Sequence, residues 1–304
     1  MWPENKKFAF TIIDDTDNST VENVGPIYDL LGELGLYTTK TVWVYPPRDS
    51  YTGQSLSDPN YLQFVKDLEE IGFEIALHNV GSGDFTRKEI LEGLDDFNRL
   101  LGYYPRMQIN HASNKDNIYW GDKRFTIINK LVKILYGEKR SYFGEDESSE
   151  FFWGDASKKH IKYIRNHVFT GINTLKYDSK MPYKVKSKEK YSNYWFSSSD
   201  AHTVQEFNDL LSKENLDKLE EEKGCCIIYT HFTDGFIKNG KIDAEFEQKI
   251  KELSNRDGWF VPAGKILEYL LEKKDNHYAS PTYLAKLDLS WVTERVIRKI
   301  KYKR

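Results

Sequence analysis

The chain has 304 residues, of which 39% are apolar, 14% aromatic and 30% charged, a composition that folds and excludes wholesale disorder. Forty-four Lys and Arg against 47 Asp and Glu give a net charge of -3, so no global basic field exists to hold nucleic acid and no such partner is expected. No stretch approaches the roughly 20 apolar residues of a membrane span. The opening MWPENKKFAFTIIDD lacks the apolar core of a signal peptide, and the protein is expected in the cytosol.

Short β-branched and aromatic runs alternate with longer segments of helical period, the pattern of βα units around a parallel sheet or barrel. FAFTII (8–13) is the first strand, and Val21, Val24, Ile27, Leu30, Leu31 and Leu34 then share one helical face over 20–35, with Gly35 as C-cap. TKTVWV (39–44) is the second strand, a Pro-, Gly- and Ser-rich loop (45–60) leads to a helix ending at Gly72, and FEIALH (73–78) is the third strand. Thr86 and Glu89 form a capping box for a helix over 86–101, MQIN (107–110) reads as a fourth strand, and 122–136 as helical.

Residues 141–200 mix aromatics with polar loops, and the lysine-rich KYDSKMPYKVKSKEK reads as a solvated loop, with a mobile lid as the alternative. YWFSSS (194–199), GCCIIYT (224–230) and GWFVP (258–262) are later strands. The vicinal Cys225 and Cys226 read as strand core, since neighbours rarely form a disulfide and offer no zinc spacing. Seven or so such units predict one α/β domain over 1–276, an irregular (β/α)7-type barrel, followed by a basic amphipathic tail over 277–304.

In a parallel βα barrel the working residues stand where strands end. Those points hold Asp14 and Asp15, His78, Asn110 and His111, Asp200, and His231. An adjacent Asp pair sends its carboxylates in different directions, so one can hold a metal while the other acts as base. Alone, such a pair also reads as a turn or helix cap, and each histidine as a structural residue.

These residues resemble the polysaccharide deacetylases, the NodB-homology group of carbohydrate esterase family 4. FAFTIIDDTD is similar to that family's first strand and Asp pair, with Thr16 in place of the following Gly; FEIALHNVGSGD carries the first histidine of the second motif, His78, with Ser82 at the second place. The approach Gly102 to Pro105 resembles the third motif, but the family's arginine is missing and Asn110 or His111 stands near its place. Asp200 matches the fourth motif loosely; CCIIYTHF matches the fifth through His231, and GWFVPAGKILEYL resembles the closing strand and helix.

The resemblance implies that Asp15, His78 and a third ligand, His111 or Asp84, hold a divalent metal, zinc first, for removal of acetyl groups from an N- or O-acetylated carbohydrate. Asp14 would be the base, His231 the acid and Asp200 a tuning carboxylate, with Asn110, Tyr119, Trp120 and Trp153 binding the sugar. The alternatives are a barrel that lost the metal and binds glycan or protein, and a hydrolase of cyclic amides. The tail 291–304 carries six Lys and Arg against one Glu, with Trp291, Val292, Val296 and Ile300 at helical spacing. It reads as a helix packed on the barrel or as one lying on an anionic membrane.

Overall fold

Every strand that faces the barrel axis must also bury its outer face under helices, and that double demand appears along β1 (Phe8–Asp14), where all seven residues are buried. Phe8, Phe10 and Ile12 pack outward with Val24, Ile27 and Tyr28 of α1 (Val21–Glu33), while Ala9 and Ile13 join a different core. The strands β2 (Thr39–Val42), β3 (Glu74–Leu77), β4 (Met107–Gln108), β5 (Tyr163–Phe169), β6 (Tyr194–Asp200) and β7 (Cys225–Thr230) follow in sequential order, all parallel. β7 pairs back onto β1 from Ala9–Cys225 to Asp14–Thr230. The result is a closed seven-stranded α/β barrel. The computed structural model describes residues 2–126 and 141–302, with side chains through residue 296.

Helices α2 (Pro59–Ile71) and α3 (Arg87–Leu101) follow β2 and β3; both have a left-handed C-cap glycine, and Thr86 and Glu89 form the expected capping box. Beyond them come α4 (Gly154–His160), α5 (Thr174–Tyr177), α6 (Val204–Leu210) and α7 (Lys213–Glu221). A small hairpin, β8 (Ile237–Lys238) and β9 (Lys241–Ile242), precedes α8 (Ala244–Ser254), β10 (Gly258–Phe260), α9 (Ala263–Glu272) and α10 (Pro281–Tyr302). Among the described residues no helix is long and apolar enough to cross a membrane.

Three sequence expectations change. The seventh barrel strand is β5, within the stretch left unassigned; β10 instead pairs with the lower half of β1 at Phe8–Phe10, on the edge whose upper half meets β2. YIRNHVF hides as a strand because Arg165, Asn166 and His167 break its apolar run, yet all three are buried. The lysine-rich segment is neither a solvated loop nor a lid, since Met181, Tyr183, Val185 and Lys188 are buried and Tyr183 pairs with Trp195. Finally, Gly121–Arg124 is a single 3-10 turn, and the remainder of the helix expected over 122–136 lies, from 127 on, outside the described residues.

The C-terminal helix α10 packs on the barrel. Leu284 and Leu287 are buried, Asp288 meets His167 at 3.2 Å, and Glu294 accepts from the Thr170 backbone at 3.1 Å. The tail side chains from 297 on lie outside the described residues.

Candidate active site

Parity decides what the end of β1 presents. Side chains alternate across a strand, so Asp14 shares the outward face of Phe10 and Ile12. There Lys40 Nζ lies 2.8 Å and the Tyr28 hydroxyl 2.9 Å from Asp14 Oδ2, and the Phe232 N–H donates to Oδ1 at 2.9 Å. Both charged side chains are fully buried. Asp14, expected as the base, is therefore sealed under α1 and cannot reach a substrate.

Asp15 points the other way, and Arg165 grips it bidentately, with N–H···O distances of 2.9 and 2.6 Å. Burial pulls the Asp15 pKa up, but the charge and hydrogen bond of Arg165 together with the charges of His78 and His231 outweigh it, and the carboxyl titrates below its ordinary value. Asp15 was the expected metal ligand; its oxygens are engaged by Arg165 and stand 4.0 Å from His78 Nε2. The carboxylate that meets the histidines is Asp17, two residues on.

Asp17 Oδ1 lies 3.2 Å from His78 Nε2 and 3.4 Å from His111 Nε2. All three atoms are buried and none has a hydrogen bond of acceptable geometry, although three polar atoms rarely stay orphaned at one point. His78 Nδ1 sits 2.9 Å from the Ile109 carbonyl, which can only accept, so Nδ1 carries the proton and Nε2 offers its lone pair. His111 is set likewise by Asn114 Oδ1 at 3.1 Å and Ser113 Oγ at 2.8 Å. Asn79, at φ 53° immediately after His78, ties the two strand ends together: its Oδ1 accepts from the His111 N–H at 2.8 Å.

One carboxylate and two imidazoles suit zinc or a similar ion. Bonds of about 2.0–2.1 Å at a tetrahedral angle place neighbouring donors about 3.3 Å apart, matching the 3.2 and 3.4 Å separations. The donor set therefore fits a divalent cation. Of the two candidates for third ligand, His111 joins this cluster. Asp84 pairs instead with Lys115 at 2.6 Å on the rim, and Ser82 donates to Asp49 at 2.8 Å.

His231 ends its strand at the same place, its Nε2 3.1 Å from Asp17 Oδ2. Burial lowers its pKa, yet the hydrogen bond to Asp17 and the charges of Asp15 and Asp17 outweigh this and raise it. His202 packs on it with ring centroids 4.3 Å apart and pairs with Asp234 at 2.7 Å. Asp200, expected to tune the chemistry, instead pairs with Arg295 of α10 at 3.2 Å.

These groups open into a cavity of about 550 Å³. Trp120, Tyr51, Tyr229 and Trp291 form aromatic walls, and Arg124 and Arg295 line it as well. Of the residues expected to bind sugar, Asn110 lines the cavity but spends its amide on the Ile118 backbone. Trp120 lines it, with one ring face under the Arg124 guanidinium. Trp153 is core, donating to the Asp116 carbonyl at 2.6 Å, and Tyr119 packs on Trp195. Trp291 faces the cavity, so it does not stand on an open apolar stripe of the tail.

Sequence reasoning missed Asp17, Arg165, His202 and Trp291. Period two was a usable signal for Arg165, since Arg165 and His167 are paired polar intrusions in an apolar run; Asp17 lies in the turn beyond the end of β1, where strand parity does not apply.

No protein-family model and no curated protein sequence matches the chain. Among solved structures, a protein from Mycobacterium smegmatis described as a polysaccharide deacetylase superposes with a TM-score of 0.53 at 12% identity, covering 92% of this chain and 96% of that one. The Puue allantoinase gives 0.53 at 11% identity, covering 90% and 93%. The closed seven-stranded barrel is thus a fold that this chain has in common with a polysaccharide deacetylase and an allantoinase.

Proposed function

We propose that this chain is a metal-dependent hydrolase that removes acetyl groups from an N- or O-acetylated sugar. The observation that carries the reading is the convergence of Asp17 Oδ1, His78 Nε2 and His111 Nε2, buried and without hydrogen bonds, beside Asp15 and His231 in one cavity. In this reading Asp17, His78 and His111 hold zinc. A bound divalent ion polarises an acyl carbonyl and acidifies water.

Asp15 is the base, kept ionised and aimed by Arg165, and it takes the proton of the attacking water. His231, held by Asp17 and backed by the His202–Asp234 pair, gives a proton to the departing amine or hydroxyl. Trp120, Tyr51 and Trp291 offer flat apolar faces to a pyranose ring.

The missing second histidine and arginine of the motif order favoured a barrel without catalysis. His111 from the loop after β4 and Arg165 from β5 supply those side-chain types at the same cavity, which supports hydrolysis instead. The likeness to the Puue allantoinase gives cyclic amides a place in the assay.

Two measurements test the proposal: divalent-ion content after loading and dialysis, and acetate release from acetylated amino sugars and acetylated xylo-oligosaccharides beside ring opening of cyclic amides. One ion per chain and chelator-sensitive acetate release are expected. Failure to retain any divalent ion would overturn the reading, and ring opening without acetate release would move it to cyclic amides.

A further inference from the structure

Three guanidinium groups line the cavity, and they are not equivalent. Arg165 is neutralised by Asp15, and Arg295 by Asp200. Arg124 has no carboxylate within ion-pair distance among the described residues, although its side chain is nearly buried, 9% exposed. It lies over the face of Trp120, with Cζ 3.8 Å from the ring centroid, and 5.3 Å from the ring of Trp291. Its Nε is buried and makes no hydrogen bond.

Stacking covers the face of a guanidinium and leaves its N–H edge as the donor surface, which matches the geometry of a carboxylate or phosphate. Charge accounting along the wall points the same way. Asp15 and Asp200 each answer one arginine, and Asp17 is the carboxylate of the ion site. With that site filled by a divalent cation, the lining carries positive charge in excess, and Arg124 is the lining arginine that no carboxylate among the described residues pairs with; buried Asp288, which pairs with His167, attracts it only from beyond ion-pair distance. Burial, with Arg295 and Arg165 nearby and only partly offset by Tyr142 and Asp288, pushes the Arg124 pKa down to about 9, so the pocket holds this charge at a cost that an anion would relieve.

Resting on the hydrolase reading above, we propose that Arg124 anchors an oxyanion on the substrate, so that the acyl sugar taken by this cavity is an acidic one, bearing a phosphate or a carboxylate. Trp120 and Trp291 position the guanidinium, and α10 belongs to the specificity wall through Trp291.

The test is calorimetric titration of the metal-loaded protein with N-acetylglucosamine, N-acetylglucosamine 6-phosphate and N-acetylmuramic acid, together with orthophosphate alone. At least one acidic sugar should bind about ten- to a hundredfold more tightly than the neutral one, the range of a charged hydrogen-bonded contact. Which acidic sugar does so separates phosphate from carboxylate. R124M should erase the preference while retaining the ion. R124K keeps a charge without the fork and carries the test if R124M fails to hold the ion; it should bind the preferred acidic sugar several-fold more weakly than the wild type.

Equal binding of all three sugars by the wild type would overturn the proposal. So would a preference that survives in ion-loaded R124M, or unchanged affinity in R124K. Orthophosphate binding that depends on Arg124 without any sugar binding would uphold the anion site and sink the sugar-hydrolase reading. Orthophosphate binding that R124M leaves intact, or no binding of any probe, would sink the anion site.

Discussion

Two carboxylate sites separated by a single peptide bond show opposite uses of the same residue type. Asp14 is enclosed by Lys40, Tyr28 and the Phe232 N–H and does not line the cavity that Asp15 and Asp17 border. Asp15 is equally buried and equally ion-paired, but its partner Arg165 and its neighbour Asp17 both border open volume. On the outer side the polar atoms satisfy one another, which is what a structural ion pair needs. On the inner side a carboxylate oxygen and two imidazole nitrogens remain unmet. What separates a structural charge from a candidate functional one here is the orphaned donor set and the space in front of it, since burial is common to both.

The comparison breaks most sharply at the ion site. Asp17→Asn and His78→Ala are each expected to abolish stoichiometric divalent-ion retention, measured by elemental analysis after dialysis. Full retention in either variant would show that the three orphaned atoms are not the ligands. Asp14→Asn, on the opposite face, should retain the ion.

Asp15→Asn is expected next, lowering acetate release by about 10² to 10⁴-fold, the usual range for a general base, with ion content unchanged. A variant as active as the wild type would show that another group takes the proton.

On the structural side, Asp14→Asn strands the buried Lys40 charge and should cost about 3–5 kcal/mol of folding stability, read from denaturant unfolding. Adding Lys40→Met should restore much of that loss. If the double variant is no more stable than Asp14→Asn, the two residues are not a pair in the energetic sense.

A third buried carboxylate sharpens the contrast. Asp116 accepts from Asn79 at 2.6 Å behind the histidines, and burial, only partly opposed by that bond, pushes its pKa up to about 7. A carboxyl whose folded pKa is raised favours the fold while protonated, so its contribution is complete below about pH 4 and is lost as pH climbs through about 7. Asp116→Asn should therefore be on the order of 4 kcal/mol more stable than the wild type at pH 8 and indistinguishable at pH 4. Equal stability at both pH values would mean that Asp116 is not held neutral by burial.

Alternation of apolar strands with helical periods was legible without coordinates, because each barrel strand is buried on both faces and each helix on one. Strand ends followed from that alternation, and with them His78, His111 and His231, since loops begin where apolar runs stop. Which member of the Asp14–Asp15 pair would face the axis was not legible: it depends on the absolute parity of β1, set by packing of Phe8, Phe10 and Ile12 against α1.

Arg165 and Trp291 lay further from reach. They come to Asp15 and the cavity from 150 and 276 residues downstream, and local periodicity carries no information about contacts closed over such distances. The sequence by itself determined the barrel and the rim on which the candidate site stands. Tertiary structure alone decided which charges on that rim neutralise each other and which are left for an ion or a substrate, because pairing depends on distances between strands that only closure of the barrel creates.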